Sequence, residues 1–269
     1  MTATDTVFAG SIAAHYDRLM VPLKFTPWAE DMARRIAALS PAMILETAAG
    51  SGAVTEQIAK ALPSAAITAT DLNPAMLEIA AQRPGLEDVR FRPADAQALP
   101  FADASFDLVT CQFGVMFYPD RVAAAREARR VLRAGGTYIF NVWNSLDQNP
   151  VSKVLSEALA EEFPANPPSF YARVPFGYHD TARIAHDLAE AGFTDIAIET
   201  LEYPHGALAP RDAAEGMCRG TPLAAEIATH GDDALDLAVE AATQALQSLC
   251  GPDDRIDAMM SAHVVTARG

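Results

Sequence analysis

The chain is poor in cysteine, and its few cysteines do not form a recognisable set. Among 269 residues there are three, Cys111, Cys218 and Cys250, and no two of them stand in a C-x-x-C pair. An odd number of unpaired cysteines argues against a disulfide framework and against a thiolate zinc site. This cysteine usage is typical of a reducing compartment, so we expect a cytoplasmic location.

Basic residues and long apolar runs are also scarce. The 20 Lys and Arg residues face 35 Asp and Glu residues, which gives a formal net charge of −15. This charge opposes binding to phosphate backbones and anionic lipid surfaces, so we expect no nucleic-acid partner. No run of about 18 or more apolar residues occurs, and no basic stretch precedes an apolar one near Met1. We therefore expect neither membrane insertion nor an export signal.

The histidines form no pair at metal-ligand spacing. None of the six takes part in an H-x-x-x-H motif, so the sequence predicts no metal site. A lone histidine is usually structural. His205 follows Pro204 at the end of a strand pattern, and His230 lies in a later helical segment that we expect to form a lid, so either could reach a substrate as a general base.

The most informative segment of the chain combines a strand, a glycine turn and a helix. Apolar residues 42–45 predict a short buried strand, Gly50 and Gly52 permit a sharp turn close to a ligand, and residues 55–62 continue as a helix. Asp71 ends a second β-branched strand about 20 residues later, the separation at which a carboxylate accepts hydrogen bonds from a ribose. The pattern therefore predicts a site for an adenosine-bearing cofactor.

The spacing of the glycines separates two classes of cofactor. A dinucleotide fingerprint G-x-G-x-x-G would place its third glycine at position 55, which is Thr55 here. This departure disfavours a nicotinamide-dependent oxidoreductase, which stays open as an alternative. A non-catalytic adenosine-binding protein is a second alternative, because it would keep the same motif.

Strand and helix patterns alternate from residue 42 to residue 142, which is typical of parallel βαβ units. Helical patterns precede them over residues 12–19 and 27–39. A later helix over residues 119–132 is predicted to end at Gly135 and Gly136, before a strand over residues 138–142. About fifty residues with their own helical patterns separate the last two strands, which predicts an inserted cap.

Several further segments are similar to those of class I S-adenosylmethionine-dependent methyltransferases of the type 11 and quinone-biosynthesis kind. The acid and small residues Glu46, Ala48, Gly50 and Gly52 resemble motif I, with Ala48 at a site usually occupied by glycine. In chain order, the other matching segments are residues 15–18, 92–101, 103–109 and 111–120. The resemblance covers residues 16–142.

The resemblance implies an α/β fold with a Rossmann-like, seven-stranded, mostly parallel sheet flanked by helices. The expected regions are an N-terminal helical lid (1–40), the cofactor-binding core (41–145), helices and the sixth strand (146–204), a helical cap insertion (205–258) and the last strand (259–269). The alanine-rich helices of the cap could equally form the surface of a homodimer.

The implied reaction transfers a methyl group from S-adenosylmethionine to the oxygen, nitrogen or carbon of a small organic acceptor and leaves S-adenosylhomocysteine. A methyl transfer of this kind needs alignment of the reactants more than a particular base, so no catalytic residue is assigned. The expected cofactor-binding residues are Tyr16, Glu46, Ala48, Gly50, Gly52, Asp71, Leu72, Met76, Asp95, Ala96, Gln112 and Phe113. The expected substrate-binding residues are Phe25, Trp28, Phe117, Trp143 and His205.

Several of these residues also have a purely structural interpretation. Glu46 could be a structural acid at the end of a strand, and Asp95 could cap the turn that follows it. Tyr16, Phe25 and Trp28 could be ordinary packing of the first helices, an interpretation we weigh equally with a place in the pocket.

Overall fold

A single mixed sheet lies at the centre of the fold. The computed structural model describes residue 12 and residues 15–269. In that part of the chain seven strands form the sheet: β1 (Met43–Glu46), β2 (Ala66–Asp71), β3 (Arg90–Pro93), β4 (Phe106–Gln112), β5 (Leu132–Trp143), β6 (Asp195–Pro204) and β7 (Met259–Arg268). The predicted seven-stranded, mostly parallel sheet is thus confirmed.

The order of the strands creates one point at which the chain reverses direction across the sheet. The order is β3-β2-β1-β4-β5-β7-β6, and β7 alone runs antiparallel to its two neighbours. After β1 the chain moves outward through β2 and β3, and then returns to place β4 on the other side of β1. Ligands of open α/β sheets bind at such a reversal, outside the carboxyl ends of the strands.

Helices cover both faces of the sheet. Ten α-helices lie within the described residues: α1 (Thr26–Leu39), α2 (Ala53–Ala61), α3 (Pro74–Ala80), α4 (Arg121–Val131), α5 (Pro150–Glu162), α6 (Phe170–Arg173), α7 (Thr181–Glu190), α8 (Pro210–Arg219), α9 (Leu223–Ala228) and α10 (Ala234–Leu246). None of these helices is long and apolar enough to cross a membrane.

The N-terminal segment differs from the predicted pair of helices. A π-helix occupies Tyr16–Phe25 and continues directly into α1, with Pro27 in the first turn of α1. Six of the ten π-helical residues are buried, so the segment is part of the core. Of the expected lid (1–40), residues 1–11, 13 and 14 lie outside the described residues.

The helices between β6 and β7 pack against the π-helix and against α5. Helix α8 contacts the π-helix, and α10 contacts both α8 and α5. The approach is close at two glycines, because a Cβ on Gly216 would lie 2.8 Å from Cβ of Leu19, and one on Gly220 would lie 3.0 Å from N of Tyr16. Elements that are far apart in the chain therefore pack against each other.

The passage from α4 to β5 corrects the predicted boundary. Helix α4 ends at Val131, and β5 begins at Leu132, so Gly135 and Gly136 lie inside the strand rather than in a turn before it. The pairing of β4 with β5 shifts register between Phe106 and Leu108. Gly135 takes a φ of 77°, a left-handed backbone conformation that glycine adopts without strain.

Candidate active site

A cavity of about 640 Å³ opens at the carboxyl ends of the parallel strands. Its walls come from the segments that follow β1, β2, β3 and β4, together with Tyr16 of the π-helix and Arg173 of α6. The cavity therefore stands at the reversal point where the topology predicts a ligand.

Most of the predicted cofactor residues line this cavity. Ten of the twelve do so: Tyr16, Ala48, Gly50, Asp71, Leu72, Met76, Asp95, Ala96, Gln112 and Phe113. Glu46 and Gly52 are not among the lining residues. The glycine loop, residues 47–52, joins β1 to α2. Gly52 is its last residue, and Glu46 lies directly before it.

Asp71 holds the glycine loop in place with both carboxylate oxygens. Its Oδ2 accepts a hydrogen bond from Gly50 N at 2.9 Å, and its Oδ1 accepts one from Asn73 N at 2.8 Å. Burial raises the pKa of Asp71, and the backbone N–H groups of Asn73, Gly50 and Leu72 oppose that rise. Each carboxylate oxygen keeps a further lone pair, so Asp71 can shape the loop and accept from a ligand at once.

Gly52 allows the loop to pass close to α3. Its φ is 83°, and a Cβ at this position would lie 2.9 Å from Cβ of Ala80. Gly85 has a φ of 84° but has nothing within 4 Å of the corresponding position. The two glycines thus share the same backbone conformation and differ in the space beside it.

Gly52→Ala should lower the free energy of unfolding by about 3 kcal/mol, because the left-handed backbone and the contact with Ala80 are both unfavourable. Gly85→Ala has only the unfavourable left-handed backbone, so it should lower the free energy of unfolding by about 1 kcal/mol. Urea unfolding of the two variants measures the difference. Equal losses would show that the contact with Ala80 has no energetic effect.

Two residues of the site take a left-handed backbone without being glycine. Ala48 has a φ of 51° and Phe113 a φ of 52°. Such conformations cost an L-residue about 1 kcal/mol or more and cluster at ligand sites. The φ of Ala48 gives a physical reason why glycine suits this position of the motif.

Glu46 precedes the glycine loop and contacts the helix that follows it. It is buried, and its Oε2 accepts a hydrogen bond of 2.7 Å from Oγ1 of the buried Thr55. Burial raises the pKa of Glu46 to about 8, an effect that the Thr55 hydroxyl opposes. The Thr55 side chain therefore fills the place that the third glycine of a dinucleotide fingerprint keeps open.

Glu46→Gln should make the stability of the protein less dependent on pH. With a pKa of 4.5 unfolded and about 8 folded, Glu46 binds a proton only in the folded state between these values. Its contribution to stability is full below the lower value and is lost as the pH rises through the upper one.

Urea unfolding at about pH 5 and about pH 8 measures this contribution. Between these two pH values, the free energy of unfolding should fall by roughly 2–4 kcal/mol more in the wild type than in the variant. The same decline in both proteins would contradict the assignment.

Arg83 ties the start of the π-helix to the glycine loop. Its guanidinium donates to the carbonyl of Ser51, to Oε2 of Glu56 at 2.9 Å and to the carboxylate of Asp17. Because Tyr16 precedes Asp17 and lines the cavity, these contacts fix the segment that covers the loop.

Polar acceptors are spread along the rest of the cavity. Asp95 is exposed and accepts from N and Nε2 of Gln97, so it does cap the turn that follows it. Gln112 donates from Nε2 to the carbonyl of Phe25 at 3.2 Å, while its buried Oε1 accepts no hydrogen bond within the described residues. A buried acceptor without a partner is costly, and a cationic amine of a ligand would satisfy Oε1 of Gln112.

Phe113 forms part of the cavity wall and belongs to an aromatic cluster. The ring of Phe113 stacks on Trp143 with centroids 3.8 Å apart and meets the edge of Trp28 at 5.7 Å. Phe25 lies 5.7 Å from Phe113 and 6.0 Å from Trp143.

The predicted substrate residues divide into two groups. Phe25, Phe117 and Trp143 line a second, smaller cavity behind this wall, and Phe117 lines the main cavity as well. Trp28 and His205 line neither. Trp28 is completely buried behind Phe113, and burial lowers the pKa of His205 to about 3, which fits a core histidine better than a general base.

The sequence did not indicate the two arginines of the main cavity. The guanidinium of Arg121 lies 4.4 Å over the ring of Tyr178, and Arg173 pairs with Glu226 at 2.6 Å. Arg121 begins α4 and Arg173 belongs to the unpredicted helix α6. Across residues 12 and 15–269, no group of three or more His, Cys, Asp and Glu side chains could hold a metal ion.

Part of this chain is similar to known proteins. A family model described as a methyltransferase domain matches residues 45–140. Demethylmenaquinone methyltransferase of Deinococcus radiodurans is 36% identical over 142 residues, which is 51% of this chain and 58% of the relative. Residues 45–140 therefore match a methyltransferase domain and are similar to the corresponding part of a quinone-biosynthesis methyltransferase. The chain matches less than two thirds of the length of this relative.

Solved structures share the fold of this chain. The YcgJ protein of Bacillus subtilis aligns with a TM-score of 0.57 at 19% identity, over 89% of this chain and 99% of that one. Phosphoethanolamine N-methyltransferase 2 of Haemonchus contortus, in complex with phosphomonomethylethanolamine and S-adenosylhomocysteine, aligns with a TM-score of 0.53 at 18% identity, over 97% of this chain and 61% of that one.

Proposed function

We propose that this protein transfers a methyl group from S-adenosylmethionine to a small organic acceptor. The observation that carries the proposal is Asp71, held between Gly50 and Asn73 on the wall of a large cavity at the reversal point of the sheet. The match to a methyltransferase domain over the same strands supports it. Thr55 in place of a third glycine argues against a nicotinamide cofactor.

The donors and acceptors of the cavity fit S-adenosylmethionine in chain order. Asp71 would accept from the ribose hydroxyls, and Asp95 would accept from the adenine amine beside Leu72 and Ala96. Oε1 of Gln112 would accept from the ammonium group of the methionine end. Gly50, Ala48 and Met76 would pack against the cofactor through backbone and apolar surface.

S-adenosylmethionine supplies a methyl group on a positively charged sulfur, so the leaving group is already activated. The protein then has to align the acceptor with the methyl carbon and to exclude water. Tyr16, Phe113 and Phe117 stand between the main cavity and the second one and would position the acceptor. In this proposal the π-helix acts as a lid and the helices after β6 act as a cap over the site.

The acceptor class follows in part from the relatives. Demethylmenaquinone methyltransferases act, by their name, on a quinone, and the aromatic wall suits a flat ring. Quinone-like rings and simple phenols are therefore the first acceptors to test. A cytoplasmic location, a homodimer and the absence of nucleic-acid partners stay predictions from the sequence.

Transfer of a radiolabelled methyl group to a panel of small phenols, quinols, amines and carboxylic acids tests the proposal. We expect labelled product with at least one class of acceptor, and S-adenosylhomocysteine released in equal amount. Binding of S-adenosylhomocysteine without turnover on any acceptor would favour the non-catalytic alternative.

A further inference from the structure

The second cavity is small, lined mainly by aromatic rings and adjacent to the main cavity. Its volume is about 50 Å³, and it shares Tyr16, Phe113 and Phe117 with the main cavity. At about 10–15 Å³ for each water molecule it has room for roughly three to five waters, or one small part of a ligand. Among the described residues that line it, Lys24 is the one with an ionisable amine.

Lys24 is buried without an acidic partner. Its side chain is 2% exposed, and its Nζ donates to Oγ of Ser152 at 2.7 Å. Nζ lies over the rings of Trp143, at 4.7 Å from the centroid, and Phe176, at 5.2 Å. No carboxylate of the described residues lies within ion-pair distance of Nζ. An unpaired buried ammonium is costly, so an acidic ligand group would be stabilised here.

We propose that Lys24 binds an acidic hydroxyl of a small aromatic acceptor and takes up its proton. This inference rests on the proposed methyl transfer, and it names the acceptor class and a catalytic residue for it. The aromatic walls favour a flat ring, and the placement of Nζ beside them favours a ring substituent that can become an anion. A cationic amine would be repelled by Lys24.

The groups around Lys24 do not compete for this role. Burial lowers the pKa of Lys24 to about 7, so the amine exchanges a proton near neutral pH. Burial and then the Lys24 charge lower the pKa of His205 to about 3, which leaves its ring uncharged. Burial raises the pKa of Tyr16 and Tyr171, so both phenols stay neutral.

The proton and electron balance of the step is simple. The hydroxyl proton moves to Nζ of Lys24, and an oxygen lone pair forms the new O–CH₃ bond. The electron pair of the S–CH₃ bond stays on sulfur, which becomes the neutral thioether of S-adenosylhomocysteine. Lys24 then returns its proton to water.

Binding of 4-nitrophenol in the absence of cofactor tests the proposal directly, because the phenolate absorbs visible light and the phenol does not. We compare the wild type with Lys24→Met and with the exposed, ion-paired control Lys153→Met. Lys24→Met should weaken binding of 4-nitrophenolate about tenfold to a hundredfold. It should leave binding of the neutral nitrobenzene and of S-adenosylhomocysteine unchanged, and Lys153→Met should behave as the wild type.

A measurement on the wild type avoids any effect of the substitution on folding. In ¹³C-lysine-labelled protein, the NMR pKa of Lys24 should rise when 4-nitrophenolate binds. Equal phenolate affinity in the wild type and Lys24→Met, no phenolate binding at all, or a constant pKa would each overturn the proposal. Failure of the proposed function would appear separately, as a loss of S-adenosylhomocysteine binding in the wild type.

Discussion

Asp71→Ala should weaken binding of S-adenosylhomocysteine by about a hundredfold or more. In the proposed complex the ribose would lose hydrogen bonds to a carboxylate, each of which is worth about 1.5–3 kcal/mol. The glycine loop also loses its anchor, because the N–H groups of Gly50 and Asn73 donate to this carboxylate. Isothermal titration calorimetry of the wild type and the variant measures the change.

Two control variants separate the contributions of Asp71. Asp71→Asn keeps the shape and one carbonyl oxygen, so it should retain an intermediate affinity. Asp147→Ala removes an exposed carboxylate paired with Lys153, far along the chain, and should bind as the wild type does. Unchanged affinity in Asp71→Ala would contradict its assignment to the ribose.

Tyr16→Ala should reduce the rate of methyl transfer about tenfold to a hundredfold, because a small misplacement of reactants is costly. Tyr16 lines both cavities, and its ring lies 5.3 Å from that of Phe25. Removal of the ring would merge the two cavities and admit water beside the reacting groups. The measurement is kcat for an acceptor that the wild type methylates.

Tyr16→Phe is the matched control, because it keeps the ring between the cavities. We expect it to retain most of the wild-type rate. If Tyr16→Ala and Tyr16→Phe lost the same amount, the hydroxyl rather than the ring would be responsible, and the proposed screening of the site by Tyr16 would be wrong.

The sequence predicts the structure where the spacing of residues along one segment determines it. Gly50 and Asp71 are predicted together because a strand, a turn, a helix and a strand have characteristic lengths, and the structure joins them by a hydrogen bond of 2.9 Å. The sheet follows in the same way from the alternation of apolar strands and amphipathic helices.

The sequence does not predict contacts that depend on how elements far apart in the chain pack together. Lys24 of the π-helix lines the second cavity and Arg173 of α6 lines the main one, and no local sequence pattern predicts these placements. The spacing of Trp28 fits either the pocket or the core, and the structure places it in the core. The extension of β5 through Gly135 and Gly136 depends on its pairing with β4.

The central claim is that the cavity binds the methyl donor and not a nicotinamide cofactor. Calorimetric titration of the wild-type protein with S-adenosylmethionine, S-adenosylhomocysteine and NADH tests it most directly. We predict that the first two bind with one site per chain and that NADH releases no heat of binding. Binding of NADH, with no binding of the two sulfur compounds, would contradict the account.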